Sequence, residues 1–499
     1  MKTKGIAVLS CMAMIILITT ITSCRSHKAI VKQEVNKDMA LGTPPDGEGS
    51  DTAQNGMPPG PPPDGKDPQG MPPGGKQNGK PGERPQGMPP GGMGGQRFDA
   101  SSILSVVTVK EGTESKTNET ITASQKNQSA VAAYTGSSVT LENNKINTTG
   151  NTSSDESSSF QGLNAAVLGR DQSVIRMKAN TINTSGSGAN GVFAYGKSKI
   201  YSENDVITCT GNGGHGLMAS GGGTIVGSNV NINTAGTNSG AVATDRGSGI
   251  ITVAKGKIIT TGKDSPGIYS TGKVSISDAE IESTGSEVAV IEGSNSIILS
   301  NSNLLVTVPN KWGVMIYQSF SGDAEGADGR FEMKNGSLKY TASTGPLFFV
   351  TNSTAYITLK NVEISCTSAT LVNAMSSRWG NAGSNGGNVN LMTESQHLNG
   401  NLIADENSKI KLSLMNNSDL EGAINSDNKA KSISVNLDGS STWTLTADSH
   451  ISTLIADMSN NSVSNITGNG HSLYYKASEN KALNGKTFAL GDGGFLKPE

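Results

Sequence analysis

The chain has 499 residues, a formal net charge of −3, and 16% charged and 34% hydrophobic side chains. That balance excludes a nucleic-acid partner met through excess positive charge. With only 4% aromatic residues, a core built on large rings is excluded as well, and small and β-branched residues must fill it.

At the N-terminus, Lys2 and Lys4 precede an apolar run from Ile6 to Ile18. The run is too short for a membrane span and reads as an export signal. Ile21-Thr22-Ser23-Cys24 follows and resembles the bacterial lipobox, with Ile-Thr-Ser where Leu-Ala-Gly is commoner. The resemblance implies that residues 1–23 are removed and that Cys24 carries the lipid. The membrane would then be reached through that lipid only, at the cell envelope or outer surface. Loss of Lys2 and Lys4 takes the net charge from −3 to −5. Residues 24–99 follow as a tether: fourteen of the eighteen prolines fall between Pro44 and Pro90, and Met-Pro-Pro-Gly recurs at Met57, Met71 and Met88. So few bulky aliphatic residues do not offset the entropy of folding, and glycine keeps no collagen-like period.

From residue 100 the pattern changes to repeats. Ile146/Gly150, Ile182/Gly186, Ile207/Gly211, Ile232/Gly236, Ile258/Gly262 and Ile281/Gly285 are each an isoleucine, three residues and a glycine, at intervals of 36, 25, 25, 26 and 23. A period in the twenties means one short unit stacked on copies of itself. Between Asn190 and Gly214 the unit holds three β-branched stretches, around Val192, Ile200 and Val206, bounded by Gly, Asn and Ser. Three short strands per coil predict an all-β, right-handed parallel β-helix over residues 100–499, about sixteen coils and roughly 75 Å long. Gly and Asn are expected at corners, where positive φ is needed. The 36-residue interval is read as a solvated corner loop spanning Asn151 to Ser159. Cys209 and Cys366, about six coils apart, are too distant to bond to each other.

Two surface sites are expected. Twelve residues before each repeat isoleucine stand Tyr134, Arg170, Tyr195, Ser220, Arg246 and Tyr269. Tyrosine faces stack on sugar rings and arginine forks suit carboxylates, so this column is a candidate glycan track. Asp323, Glu325 and Asp328 put three carboxylates within six residues, a candidate for calcium, which takes oxygen ligands. Catalysis has less to stand on. Gly214-His215-Gly216 resembles a polygalacturonase motif, but that family's Asn-Thr-Asp, Asp-Asp and Arg-Ile-Lys strings do not occur, and glycoside hydrolysis needs paired carboxylates. His215 is instead read as a corner residue equivalent to Asn190 and Ser239.

Toward the C-terminus, Leu437 to Leu445 (Leu-Asp-Gly-Ser-Ser-Thr-Trp-Thr-Leu), followed by Ser449, Ile451 and Leu454, is similar to the passenger domains of pertactin-type autotransporter adhesins. There a Trp-x-Leu strand and an Ile/Val-x-x-Leu strand close the β-helix. The sequence departs from that family in having no stretch read as its membrane barrel, a place the lipid anchor would take. The resemblance implies a monomeric surface adhesin or carbohydrate-binding module, with a polysaccharide or cell-surface molecule as partner. The alternative is a lyase or glycosidase whose site is dispersed over several coils.

Overall fold

The computed structural model describes residues 103–459 and 462–499; the stretch read as an export signal, Cys24 and residues 24–99, read as a tether, lie outside them. Alternating apolar and polar residues over four or five positions give each segment one inward face. The unit read from sequence consists of three strands, Val192–Tyr195, Lys199–Glu203 and Val206–Cys209. Each pairs in parallel with its counterparts one coil away on either side: Val192 with Val167 and Leu217, Ile200 with Ile175 and Ile225, Ile207 with Ile182 and Ile232. The chain is therefore a nearly all-β parallel solenoid of about sixteen turns from residue 104. First strands build a twelve-stranded sheet, and second and third strands share a twenty-stranded one.

The repeat isoleucines form one inward column. Ile146, Ile182, Ile207, Ile232, Ile258 and Ile281 pair rung to rung, extended by Ile121 on one side and Leu304 and Leu338 on the other. None is more than 3% exposed. Each contributes about 1.5–3 kcal/mol by burial. Cys209 lies in the same core, its thiol pushed up to about 11 by burial, and both Cys209 and Cys366 are free.

The repeat glycines correct one expectation. None of Gly150, Gly186, Gly211, Gly236, Gly262 and Gly285 has a positive φ. They are glycine because successive coils touch there: a Cβ on Gly186, Gly211, Gly236, Gly262 or Gly285 would fall 1.8–2.2 Å from the carbonyl oxygen of the repeat glycine one coil earlier. Positive φ belongs instead to corner asparagines such as Asn204 (55°) and Asn229 (53°). Their amides form a ladder outside the corner, with Asn229 donating to Asn204 at 2.8 Å, Asn335 to Asn301 at 2.8 Å and Asn361 to Asn335 at 3.1 Å.

Inside the same corner runs a second ladder, buried, that alternation alone did not suggest. Asn180 Oδ1 accepts from the Asn144 backbone N–H (2.9 Å), and Asp205 Oδ1 accepts from the Asn180 N–H (2.6 Å) and from its side-chain amide (2.9 Å). Asp205 Oδ2 takes the Ser202 hydroxyl at 2.6 Å. Burial outweighs these hydrogen bonds and raises the Asp205 pKa. A carboxyl raised on folding stabilises fully only while protonated, below its unfolded value, and that contribution is lost as pH rises through the folded value. Asp205→Asn, which continues the asparagine ladder, should therefore raise the melting temperature at pH 8 and have less effect at pH 4. Equal shifts at both pH values would contradict this.

The 36-residue interval also differs from expectation. Within it lies a helix, α1 (Asp155–Gln161), capped by the Ser154 side chain and ended by Gly162 in the left-handed region. It lies over the outer face of the twelve-stranded sheet rather than in solvent. Leu163, just beyond it, joins a buried cluster with Tyr134, Leu168, Phe193 and Met218. At the other end, Trp443 and Leu445 are fully buried and Ile451 nearly so, and the Trp443 indole donates to the Gly422 carbonyl at 2.9 Å. Strands Phe488–Gly491 and Phe495–Pro498 then pair antiparallel, Phe488 opposite Leu496, within a nine-stranded sheet.

Candidate ligand-binding surfaces

The predicted column holds for four coils. Ala133 and Ala194 both pair with Gly169, which sets Tyr134 and Tyr195 on either side of Arg170, and Tyr195 pairs with Ser220. Above Ser220 the register passes to Asp245, because Ala219 pairs with Thr244; Tyr269 pairs with Ala243. Counting back from the isoleucine crosses a corner whose length varies. Five residues separate Tyr195 from Ile200 and Ser220 from Ile225, whereas six separate Asp245 from Ile251. Nor is the column an open track. Tyr134 and Arg170 are buried, and Tyr195 is partly exposed. The Arg170 guanidinium lies 4.5 Å from the Tyr195 ring centroid, and burial pushes the Tyr134 hydroxyl up to about 12.

Arg246 and Tyr269 do other work. Arg246 lies 3.9 Å over the Phe160 ring and ion-pairs with Glu156 at 3.4 Å and with Asp323. It thus fastens the α1 insertion to the loop before strand Asp328–Tyr340. Asp323 is committed to that contact, and Glu325 and Asp328 are exposed. Among the described residues no three His, Cys, Asp or Glu side chains gather as a metal site, so the expected calcium cluster does not assemble. Tyr269 belongs to a buried knot around Glu292. That carboxylate accepts from Tyr269 (2.5 Å), Tyr317 (2.8 Å), Ser319 and Ser321 (3.3 Å). Burial, reinforced by neighbouring Tyr317 and Glu292, holds the Tyr269 hydroxyl well above its usual range.

His215 is a corner residue, as expected, aligned with Asn190 but with Gly240 rather than Ser239. Its backbone N–H donates to Asn190 Oδ1 at 2.9 Å, and burial lowers the imidazole to about 4. No paired carboxylates stand beside it among its hydrogen-bond and ion-pair partners.

A different face carries six of the fourteen large apolar residues exposed among the described ones. On the outside of the twenty-stranded sheet, Tyr201, Val226, Ile250, Ile298, Tyr356 and Met392 are 37–46% exposed. Tyr201 pairs with Val226, and Thr224 with Ile250, so three of them stand on consecutive coils. Ile298 aligns with Ser275, Tyr356 with Arg330 and Met392 with Thr358, further along the same face. Both tyrosines carry an arginine from the preceding coil, Arg176 at 4.7 Å from the Tyr201 centroid and Arg330 at 6.0 Å from that of Tyr356. An arginine–tyrosine arrangement therefore does face solvent, one face away from the predicted column. The signal for it was available: Tyr201 and Val226 directly follow inward Ile200 and Ile225, so they point outward.

A second aromatic group sits on the twelve-stranded sheet. Trp312 stacks on Phe349 (4.3 Å, 6°), and Trp379 lies 5.7 Å from Tyr317 and 6.2 Å from Phe320. No family model matches the chain, and no curated protein or solved structure matches it either.

Proposed function

We propose that this is an exported surface protein, held at the envelope by a lipid on Cys24, whose solenoid binds an extended saccharide without transforming it, as an adhesin or carbohydrate-binding module does. The observation that carries the reading is the exposed stripe from Tyr201 to Met392, with its two arginine-backed tyrosines. Apolar residues interspersed with polar ones along one exposed face suit a ligand that is itself part apolar and part polar. A pyranose ring, apolar on its C–H faces and polar at its rim, suits tyrosine faces with guanidinium donors beside them. Coils about 4.8 Å apart present equivalent positions at regular steps, which favours a polymer over a small molecule.

The test is a glycan array probed with the mature chain, followed by affinity measurement on the best ligand. Tyr201→Ala with Tyr356→Ala should weaken binding by about tenfold or more, two stacking contacts of roughly 0.5–1.5 kcal/mol each. Neither ring is in the core, so the melting temperature should hold. Unchanged affinity in the double variant would remove the stripe as the binding face, and release of reducing or unsaturated ends from the bound glycan would favour an enzyme instead.

A further inference from the structure

Buried charges elsewhere in this solenoid are met by opposite charges or by several hydrogen bonds. Glu292 accepts from four hydroxyls, Lys311 faces two carboxylates, and Asp323 meets Arg246. Arg170 is different. It is 4% exposed, yet its guanidinium makes one hydrogen bond, from Nη1 to the Gln161 carbonyl at 3.3 Å, and no ion pair among the described residues. Its Nε is buried with no partner. On the adjacent rung stands Tyr134, 6% exposed, whose hydroxyl is likewise buried without a partner.

An unmatched buried cation beside an unmatched buried hydroxyl is costly in both respects. A ligand with a negative charge and acceptor oxygens would supply what both lack. A carboxylate would supply both, one oxygen accepting from Arg170 Nε–H and the other from the Tyr134 hydroxyl. Tyr195, against which Arg170 is stacked, is the partly exposed member of the three. We propose that Arg170, Tyr134 and Tyr195 form a subsite for the carboxylate of an acidic sugar, roofed by the α1 insertion. The proposal rests on the saccharide reading above and narrows it to uronic-acid polymers. Arg246 enters as the fastening of the roof, through Glu156 and Phe160, and not as a contact to the sugar.

The test is calorimetric titration of the mature chain with three probes: a galacturonic-acid trisaccharide, the neutral galactose trisaccharide and triglutamate. The acidic sugar should bind at least tenfold more tightly than either of the others. Tyr134→Phe should weaken its binding about tenfold, and the free variant should be no less stable than the parent, since the hydroxyl has no partner to lose. Arg170→Gln should abolish the preference for the acidic sugar; where that variant fails to fold, Tyr134→Phe carries the test alone. Equal affinity for acidic and neutral sugars, equal affinity for triglutamate, or undiminished binding by Tyr134→Phe each overturns the subsite. Glycan binding that depends on Tyr201 and Tyr356 but shows no preference for acidic sugars sinks this subsite and leaves the stripe standing. No binding of any saccharide sinks both.

Discussion

Gly211→Ala should destabilise the middle of the solenoid by about 3 kcal/mol, the upper end of the range for overpacking a core position. A methyl group there would lie 2.0 Å from the Gly186 carbonyl oxygen and 2.6 Å from its carbon. Both obstacles are backbone, held by the ladders on either side. Moving them means separating coils whose isoleucines pack directly beneath. Because each coil touches only its neighbours, damage at one level need not spread to both ends. The expected melt by far-ultraviolet dichroism is therefore an early partial transition and not a uniform shift. Gly439→Ala is the matching control: nothing lies within 4 Å of its added methyl and its φ is not positive. A Gly211→Ala protein that melts like the parent would mean that the coils can part at little cost.

Lys311→Met is the other large effect expected. The ammonium sits 2.7 Å from Asp264 Oδ1, 3.6 Å from Glu287 Oε2 and 3.3 Å from the Ser286 hydroxyl. Lys311 and Glu287 side chains are 6% and 2% exposed. Two carboxylates against one cation already leave this corner short of positive charge. Removing the lysine leaves both acids without a counter-charge in a mostly buried corner, a loss of about 3–5 kcal/mol. Methionine keeps most of the volume, so the loss reports on charge more than packing. Adding Asp264→Asn and Glu287→Gln to Lys311→Met should recover much of the stability. Failure of that triple variant to recover would assign the defect to packing, against this account.

The strands and the isoleucine column were legible because both follow from local rules: alternation fixes the inward face, and a repeating β-branched residue fixes the register. The tyrosine–arginine column went astray at Arg246 because register is set by hydrogen bonding between coils, whereas the count from the isoleucine ran through a corner of changing length. The α1 insertion was hidden by its own composition. Asn151 to Ser159 read as solvated, and the two residues that anchor it, Phe160 and Leu163, follow the polar run. The buried ladder left a readable trace, since Asn144, Asn180 and Asp205 each stand two residues before a repeat isoleucine. A polar residue at a position that alternation turns inward signals a partner in the next coil. What the sequence does not reveal is the unmatched state of Arg170. That depends on which groups the fold brings near it, and an arginine just past a strand looks the same whether or not an acid waits opposite.

The antiparallel pair near the C-terminus has a consequence for assembly. Strand Phe488–Gly491 continues one stack and Phe495–Pro498 another, pairing with Leu473–Tyr475. Their mutual pairing ties the two stacks together and consumes backbone donors and acceptors that a second molecule could otherwise copy. Stacked parallel strands are the template on which fibres grow, and a blunted terminus halts such growth on that side. At high local concentration, many copies can then stand side by side without recruiting one another into filaments from this end.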